Sequence, residues 1–399
     1  MHTIDPPLPR VPVLDWTSFK FVDAPKLSSI ERLPYRSITT SGRAAIYHAI
    51  DQLRLAPGST VLVPSYHCPT MVAPVFLAKM RVEYFGIQAD GLPYLDAIDD
   101  ATAARCKAII VSHYFGISRS LAHVRQWCDD HGIALIEDCA HCFFGIAGDR
   151  PVGAWGDYST ASLTKFLPVP EGGLLASAYN PIADIVLKPQ GVMAQVKGWI
   201  DILELASKYG RFTGINGILS FFFWLKNLRR DTAKMNTRDV DIAGGSPSHD
   251  SGAVMMQGCD MARILCAPLG VTKFLNSVIP RGQIVASRQR NFSCYAQKLV
   301  GMRGATPLFH LNDTQLAQSA PYVFPVWVDD ADRIYHALRV QNVPVFRWDQ
   351  IWPGTPKTAG DVGPLWSRHV LQLLCHQGLS EPDIERISSN LLNLLSPPH

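Results

Sequence analysis

Short apolar runs alternate with amphipathic stretches between residues 41 and 175. Four of the runs are rich in β-branched residues and bounded by Gly, Pro or Asp, a pattern that predicts buried strands. These runs span residues 59–67, 81–87, 106–116 and 132–141. Between them, residues 42–58 and 118–132 have helical periodicity, and the second stretch begins with a candidate serine N-cap and ends on glycine. The alternation predicts an α/β fold with a mainly parallel sheet and helices on both of its faces.

The pattern becomes mostly helical after residue 178 and alternates again towards the C-terminus. A Gly/Ser-rich break at 241–253 predicts a loop. Further helices are expected at 281–299, 330–341 and 381–395, and further strands at 322–330 and 342–349. We therefore expect an N-terminal arm (1–34), a large domain (35–280) with a helical region at 179–279, and a small α+β C-terminal domain (281–399).

Composition and charge narrow the class of protein. The 399 residues are 47% hydrophobic and 18% charged, which suits a globular protein with a large core. The net charge is only +3 and the basic residues form no long run, so nucleic-acid binding is not expected. Nine cysteines scattered along the chain fit a reducing compartment, and the proline-rich start lacks the order of a signal peptide. These features predict a cytoplasmic protein.

The longest apolar run extends from Ile215 to Leu225 and is followed by Lys226, Arg229 and Arg230. It is well short of the ~20 residues that a membrane-spanning helix needs. Such a segment lies on a membrane surface or packs on protein, including a dimer contact. We favour packing on protein, so peripheral membrane contact is not expected.

A lysine in an apolar segment is the main candidate for chemistry. Lys165 lies in TASLTKFLPVPEGG (160–173), between short hydroxyl residues and a Pro/Gly-rich turn. A lysine becomes nucleophilic when it is partly desolvated, although a lone lysine of this kind is more often a surface residue. Asp138 ends an apolar strand and needs a cationic partner if it is buried. Pyridoxal phosphate requires such a pair, because an acid holds its pyridinium nitrogen and a lysine binds its aldehyde.

Phosphate donors are available near the start of the first helix. Ser41, Gly42 and Arg43 open that helix, whose free N–H groups favour an anion, and Thr160 adds a hydroxyl. A competing hypothesis is a metal site at the CxxC of Cys139 to Cys142, which would be completed if the fold brought His67 and Cys68 close to it. One CxxC is a weak pattern and buried structural cysteines are the commoner case, so no metal is expected.

These residues stand in motifs that resemble a known family. The segments TSGRAAIYHAI, VLVPSYHCPT, VSHYFG, IEDCAH and PVGAWGDYSTASLTKFLPVPEGG occur in the order seen in the DegT/DnrJ/EryC1/StrS family. The likeness covers residues 35–178 well and 280–399 recognisably, whereas 179–279 is divergent. It implies the fold-type-I architecture of pyridoxal-phosphate-dependent aminotransferases and a homodimer with active sites at the interface.

The resemblance also implies roles for individual residues. Lys165 would form the Schiff base and move protons, and Asp138 would pair with the ring nitrogen. His141 would lie near the ring hydroxyl. The remaining cofactor contacts would come from Gly42, Arg43 and Thr160 around the phosphate, and from Tyr66, His67 or Cys68 over the ring face.

Substrate contacts follow less directly. His113 matches a family position, although a histidine held by hydrogen bonds at a strand end is the favoured interpretation. Arg347 and Trp348 either line the substrate mouth or form a packed strand and turn. The segment QGCDMARI (257–264), with Arg263, is a poor match to the family's Asn-containing segment that reaches the neighbouring subunit's phosphate.

The sequence thus predicts an aminotransferase that moves an amino group from glutamate or a similar donor to a keto group, on a nucleotide-linked deoxysugar or a related polar metabolite. One alternative is another pyridoxal phosphate reaction, such as a dehydratase or lyase. Family dehydratases have histidine in place of the lysine, so Lys165 argues against that branch. The other alternative is a non-catalytic family member that serves binding or regulation.

Overall fold

The computed structural model describes residues 7–22, 26–224, 256 and 259–395. Nine strands of the first half are β1 (Tyr35–Thr39), β2 (Thr60–Pro64), β3 (Arg81–Phe85), β4 (Cys106–Ser112), β5 (Ala134–Asp138), β6 (Ile146–Ala147), β7 (Arg150–Pro151), β8 (Tyr158–Ser162) and β9 (Gly173–Ser177). Seven of them form one sheet in the order β1-β9-β8-β5-β4-β2-β3, while β6 and β7 pair as a small hairpin. The central strands run parallel, and β9 and β1 add an antiparallel edge. The predicted α/β fold with a mainly parallel sheet is confirmed.

Both faces of this sheet are buried, which explains why its strands are continuously apolar. Val61 and Val63 contribute to one hydrophobic cluster, whereas Leu62 between them contributes to another on the opposite face. Ile109 and Ile110 on β4 are divided in the same way. Because successive side chains of a strand point to opposite faces, a sheet covered on both sides needs apolar residues at every position.

Helices cover the sheet. Those between residues 40 and 280 are α1 (Gly42–Gln52), α2 (Pro69–Leu77), α3 (Asp100–Arg105), α4 (Ala122–His131), α5 (Val192–Lys208) and α6 (Gly270–Val278). The prediction of a serine N-cap for α4 is wrong, because the N-cap residue is Leu121, which makes no side-chain hydrogen bond. The expected C-terminal glycine is present: Gly132 ends α4 with φ 63°, a left-handed conformation that favours glycine.

A second sheet lies in the C-terminal part. Its four antiparallel strands, in the order β10-β11-β13-β12, are β10 (Ala305–Pro307), β11 (Val323–Val328), β12 (Val345–Phe346) and β13 (Val370–Leu374). The accompanying helices are α7 (Arg281–Lys298), α8 (Asp313–Ala317), α9 (Ala331–Val340), α10 (Gly363–His369) and α11 (Glu381–Leu395). The smaller C-terminal sheet domain is therefore confirmed, although the strand expected over 342–349 is only two residues long. The boundaries chosen for the arm and the two domains stay a prediction.

The described parts of the divergent region combine helices with irregular segments, the latter at 179–191 and 259–269. The helical parts comprise α5, a helical segment at 216–224 and α6, and a single bridge pairs Lys188 with Cys266. The predicted loop at 241–253 lies outside the described residues. Across the part of the chain that the structure describes, every helix is too short or too polar to pass through a bilayer.

Candidate active site

The carboxyl edge of the parallel strands opens into a cavity of about 310 Å³. The register explains which residues meet there, because Ser112 on β4 lies beside Asp138 on β5, which lies beside Thr160 on β8. Ligands in open α/β sheets bind at this edge. A single row of polar residues therefore follows directly from the strand pairing.

Lys165 reaches the cavity from a 3₁₀ turn, Leu163–Lys165, that directly follows β8. Burial lowers the pKa of its amine, against the opposing influence of Cys68 and Asp138. The Nζ atom lies 5.3 Å from the ring centroid of Tyr322. A lowered pKa leaves more of the amine neutral, which is the nucleophilic form.

Asp138 faces the same cavity with a carboxylate that is only partly satisfied. Its Oδ1 accepts hydrogen bonds from the Ala140 N–H at 3.0 Å and the Thr160 hydroxyl at 3.3 Å. Its Oδ2 accepts a long one, 3.4 Å, from Ser112 Oγ. Burial raises the pKa of Asp138, although Lys165 and these hydrogen bonds oppose the shift. A buried acid of this kind favours a cationic ligand.

Aromatic side chains form the wall near His141. The imidazole stacks on Tyr322 with the ring centroids 4.5 Å apart, and Trp348 lies 5.2 Å away. Burial, with Lys165 nearby, holds the pKa of His141 well below its usual range. His141 is therefore neutral at physiological pH and offers one donor and one acceptor.

Another group of residues that line the cavity has the features of an anion site. Ser41 caps α1 by accepting a hydrogen bond from the Ala44 N–H, and Gly42 and Arg43 follow it along the cavity wall. The Nε of Arg43 is buried and has no hydrogen-bond partner among the described residues. Hydroxyl groups of Thr70, Ser162 and Thr164 also line the cavity. A guanidinium, several hydroxyls and a helix N-terminus are together suited to a phosphate.

Glu171 connects the segment after Lys165 to residues of the divergent region. Its carboxylate accepts hydrogen bonds from Arg263 Nη1 at 2.6 Å, the Leu269 N–H at 2.8 Å and Gln190 Nε2 at 2.9 Å. The Thr40 hydroxyl donates to the Arg263 carbonyl at 2.8 Å. Arg263, from the divergent region, thus lies at the cavity of its own chain, paired with Glu171.

Eight of the residues predicted to form the site line the cavity: Gly42, Arg43, Cys68, His113, Asp138, His141, Lys165 and Trp348. The other four do not. Thr160 donates its hydroxyl to Asp138, so it supports the acid and does not face the phosphate side. His67 stacks on Tyr84, and burial lowers its pKa to about 4. Tyr66 packs among Tyr114, Trp348 and Trp366.

Arg347 is the fourth residue outside the cavity. Its guanidinium pairs with Asp332 and donates to the Arg368 carbonyl at 2.7 Å. These contacts fit the packed strand and turn, which is one of the two alternatives expected for Arg347. Cys68 is the member of the Tyr66–Cys68 trio that reaches the cavity, and its Sγ lies 2.8 Å from the Thr70 hydroxyl.

His113 is held mainly by a carboxylate. Its Nε2 lies 2.8 Å from Glu137 Oε1, and its Nδ1 accepts from the Arg119 N–H at 3.3 Å. Glu137 is fully buried and accepts three further N–H groups, from Gly153, Trp155 and Gly156. Burial raises the pKa of Glu137, but its hydrogen bonds outweigh this and lower it.

The metal alternative raised by the CxxC receives little support from the described residues. Cys139, His113 and Glu137 lie close enough together to hold an ion. However, burial raises the thiol pKa of Cys139 and of Cys142, which disfavours the thiolate that a metal needs. The hydrogen bonds to Glu137 account for this cluster without an ion.

Tyr322, Arg288 and Thr70 are among the contributors that the sequence did not predict. Tyr322 and Arg288 come from the small domain or its first helix, and Thr70 comes from the start of α2. No local pattern marks the first two, because the chain brings them to Lys165 only after the two sheets pack together. The PSYHCPT turn, in which Thr70 follows Cys68 by two residues, is the local signal for the threonine hydroxyl.

The polar groups that line the cavity fit the chemical groups of pyridoxal phosphate. The partly satisfied carboxylate of Asp138 suits a pyridinium nitrogen, the lowered pKa of Lys165 suits an aldehyde, and the unpartnered Nε of Arg43 lies on the side suited to a phosphate. The described residues therefore offer one group for each functional part of this cofactor.

Comparison with solved structures identifies the fold. It matches Helicobacter pylori PseC, an aminotransferase involved in the biosynthesis of pseudoaminic acid, with a TM-score of 0.63 over 98% of this chain and 99% of that one at 13% identity. It also matches the PMP form of the putative sugar aminotransferase Spr1654 from Streptococcus pneumoniae, with a TM-score of 0.61, 98% coverage of both chains and 16% identity. The chain has the fold of the pyridoxal-phosphate-dependent aminotransferases.

Residues 34–208 match the DegT/DnrJ/EryC1/StrS aminotransferase family model. It is 28% identical over 191 residues to a GDP-perosamine synthase of Vibrio cholerae, covering 46% of this chain and 52% of that protein. It is also 28% identical over 146 residues to a dTDP-4-dehydro-2,3,6-trideoxy-D-glucose 4-aminotransferase of Saccharopolyspora spinosa, covering 36% and 38%. The matches thus span about half or less of these relatives.

Proposed function

We propose that this protein is a pyridoxal-phosphate-dependent aminotransferase. It would take an amino group from glutamate or a similar donor and transfer it to a keto group on a nucleotide-linked deoxysugar. The observation that carries the proposal is the pair of Lys165 and Asp138, facing one cavity with an amine of lowered pKa and a carboxylate of raised pKa. The relatives that act on nucleotide-linked sugars support the acceptor class.

Each of these residues has a distinct task in such a reaction. Bound pyridoxal phosphate supplies the aldehyde and the electron sink. Asp138 would hold a proton at the ring nitrogen of the cofactor, since its buried carboxylate is stabilised by a positive partner. Lys165 gives and takes the proton at the reacting carbon, because its lowered pKa brings it closer to the working pH.

The cavity walls position the reactants and limit water. Gly42 and Arg43 would hold the phosphate end of the cofactor, while Tyr322, His141 and Trp348 form an aromatic wall beside Lys165. Fixing the two ends of a ligand in this way converts a bimolecular step into an effectively unimolecular one. Cys68, whose Sγ contacts Thr70, is our candidate for the residue beside the ring face.

The first test is a visible absorption spectrum of the protein with pyridoxal phosphate, before and after L-glutamate. We expect a band that requires Lys165 and that bleaches with glutamate; Lys165→Ala removes it. Lys197→Ala is the matched control, because Lys197 is an exposed lysine of α5 paired with Asp201. A band of equal strength in Lys165→Ala contradicts the proposal.

The same spectra separate the alternatives. A Lys165-dependent band that ignores every amino donor points to other pyridoxal phosphate chemistry, such as a dehydratase or lyase. Absence of a band in the wild-type protein points to a non-catalytic member. If the band bleaches, mass spectrometry of products from GDP- and dTDP-linked keto sugars then tests the acceptor class.

We also propose that the protein acts as a homodimer in the cytoplasm. Exposed apolar side chains on α5, namely Val192, Met193 and Val196, support a further protein contact. Sedimentation of the purified protein tests the oligomeric state, and a monomer at micromolar concentration contradicts the dimer.

A further inference from the structure

Arg288 on α7 is a fully buried cation without a carboxylate partner among the described residues. Its side chain has 0% exposure. Burial lowers its pKa to about 10, so it remains protonated at neutral pH. Removing an ion from water is costly unless other groups replace the water. An arginine retained under such conditions has specific partners.

Those partners are main-chain carbonyls and one ring. Nη2 donates to the carbonyl of Lys165 at 2.6 Å, and Nη1 donates to the carbonyls of Pro321 at 3.1 Å and Tyr322 at 3.3 Å. The guanidinium also lies over the ring of Phe166, 4.3 Å from its centroid. The planar fork of arginine reaches several acceptors at once, which a lysine ammonium does not reproduce.

These contacts join two parts of the active site that come from different sheets. The Lys165 turn follows β8 of the main sheet, whereas Tyr322 lies immediately before β11 of the small sheet. The Tyr322 ring is the surface that faces Lys165 Nζ at 5.3 Å and stacks on His141. A single guanidinium therefore fixes the backbone of both residues on either side of the reactive amine.

We propose that Arg288 is a positioning residue that holds the Lys165 amine against the Tyr322 ring. Its role is to keep the amine desolvated and directed into the cavity. The inference rests on the proposed function for its catalytic consequence, but the geometric claim concerns the protein alone.

The inference predicts a change at Lys165 that a purely structural arginine would not produce. Without the fork, the turn and the ring separate, water reaches the amine, and its pKa rises towards the ordinary value of lysine. A misplacement of about 1 Å near the reacting atoms costs roughly 100-fold in turnover. Loss of stability alone leaves the properties of Lys165 unchanged in the molecules that stay folded.

The experiment compares Arg288→Lys with wild type and with Arg281→Lys. Arg281 is a matched control because it begins the same helix and has several hydrogen bonds, but it pairs with Glu31. Cofactor-free protein is treated with acetic anhydride over a pH series, and mass spectrometry follows acetylation of Lys165. Thermal unfolding is recorded for each variant, and the pyridoxal phosphate absorption band and turnover are measured separately.

We expect Arg288→Lys to raise the pH midpoint of Lys165 acetylation by roughly one unit and to lower turnover by roughly 100-fold, while Arg281→Lys moves neither. An unchanged midpoint in folded Arg288→Lys overturns the inference. Should that variant not fold, Tyr322→Leu is used, since it removes the ring and keeps the carbonyl. A midpoint unchanged in Tyr322→Leu likewise overturns it.

The two proposals fail in different ways. If wild-type protein shows no absorption band with pyridoxal phosphate but the Lys165 midpoint moves in Arg288→Lys, the proposed function fails and the positioning role stands. If the band and its response to glutamate are normal and the midpoint does not move, the reverse holds.

Discussion

Two adjacent carboxylates at the end of β5, Glu137 and Asp138, are expected to respond in opposite ways to the same change. Neutralising each by its amide, Glu137→Gln and Asp138→Asn, keeps the size and removes the charge. Glu137 has a lowered pKa and Asp138 a raised one. The first should therefore be a structural acid and the second a functional one.

The hydrogen bonds give the magnitude for Glu137. Its two oxygens accept from His113 and from the N–H groups of Gly153, Trp155 and Gly156, at 2.6 to 3.1 Å. The amide introduced by Glu137→Gln would replace one acceptor oxygen by a donor, which leaves at least one buried N–H unpaired and removes the charge from the others. Each buried group left unpaired costs about 1–3 kcal/mol. We expect Glu137→Gln to lower the free energy of unfolding by about 3–5 kcal/mol.

Asp138 should behave differently in the cofactor-free protein. Its folded-state pKa lies above its unfolded value, so its negative charge at neutral pH opposes folding. Asp138→Asn should therefore leave the free energy of unfolding unchanged or slightly higher, while it removes the proposed partner of the ring nitrogen and should abolish turnover. Glu137→Gln should retain turnover in the molecules that remain folded.

Urea unfolding at neutral pH, followed by circular dichroism on cofactor-free protein, checks both stabilities, and the glutamate half-reaction checks activity. Ser159→Ala, at a buried hydroxyl of β8 that donates to the Ala176 carbonyl, controls for the general cost of changing a polar residue in this sheet. Equal losses of stability in the two amide variants would refute the division of roles. So would full turnover in Asp138→Asn.

Three further outcomes follow from single sites. Burial lowers the pKa of His67 to about 4. The unfolded chain therefore binds more protons than the folded one between pH 6.5 and 4, and stability falls as the pH falls through that window. His67→Phe should remove about 2 kcal/mol of the stability that is lost between about pH 7 and 5, as measured by urea unfolding. Gly116 has φ +86°, and a Cβ there would lie 2.2 Å from the Tyr322 nitrogen, so Gly116→Ala should lower the free energy of unfolding by about 3 kcal/mol. Arg43→Met should weaken pyridoxal phosphate binding at least about tenfold, measured by equilibrium dialysis, because a charge-assisted hydrogen bond contributes about 1.5–3 kcal/mol.

Each of these has a result that contradicts it. An acid sensitivity that is unchanged in His67→Phe would mean that other groups dominate this pH range. A Gly116→Ala variant as stable as wild type would mean that the backbone of residues 115–117 can shift to accommodate the Cβ without lowering the free energy of unfolding. Unchanged affinity in Arg43→Met, with Arg36→Met as an arginine control outside the cavity, would remove the guanidinium from the phosphate site.

The strands of the parallel sheet were predictable because a strand that is buried on both faces needs a continuous run of apolar residues, which is visible in the sequence. The runs at 106–116 and 132–141 contain β4 and β5, and each of these strands ends in the polar residue that meets the cavity. In contrast, β12 shortens to Val345–Phe346 within the strand expected over 342–349. The residue pattern there fits a strand, but the pairing available beside β13 limits its length.

The candidate site was predictable where chemistry and strand order coincide. Asp138 is the last residue of β5, and Lys165 lies in the turn that follows β8. Because β5 and β8 are paired in the sheet, the sheet topology brings the two residues close together. Thr160 shows the limit of this reasoning, because its hydroxyl was assigned to the phosphate and is instead directed to Asp138. Side-chain direction at a strand end depends on the register of the neighbouring strand, which the sequence does not display.

By itself the sequence determined the α/β class, the mainly parallel sheet and the segment that carries Lys165. The tertiary structure decided what surrounds Lys165, because Arg288 reaches Lys165 from 123 residues away along the chain and Tyr322 reaches it from farther still. Local patterns record burial and backbone geometry, which act over a few residues. A contact between an arginine and a distant carbonyl depends on how two sheets pack, and that packing is a property of the whole chain.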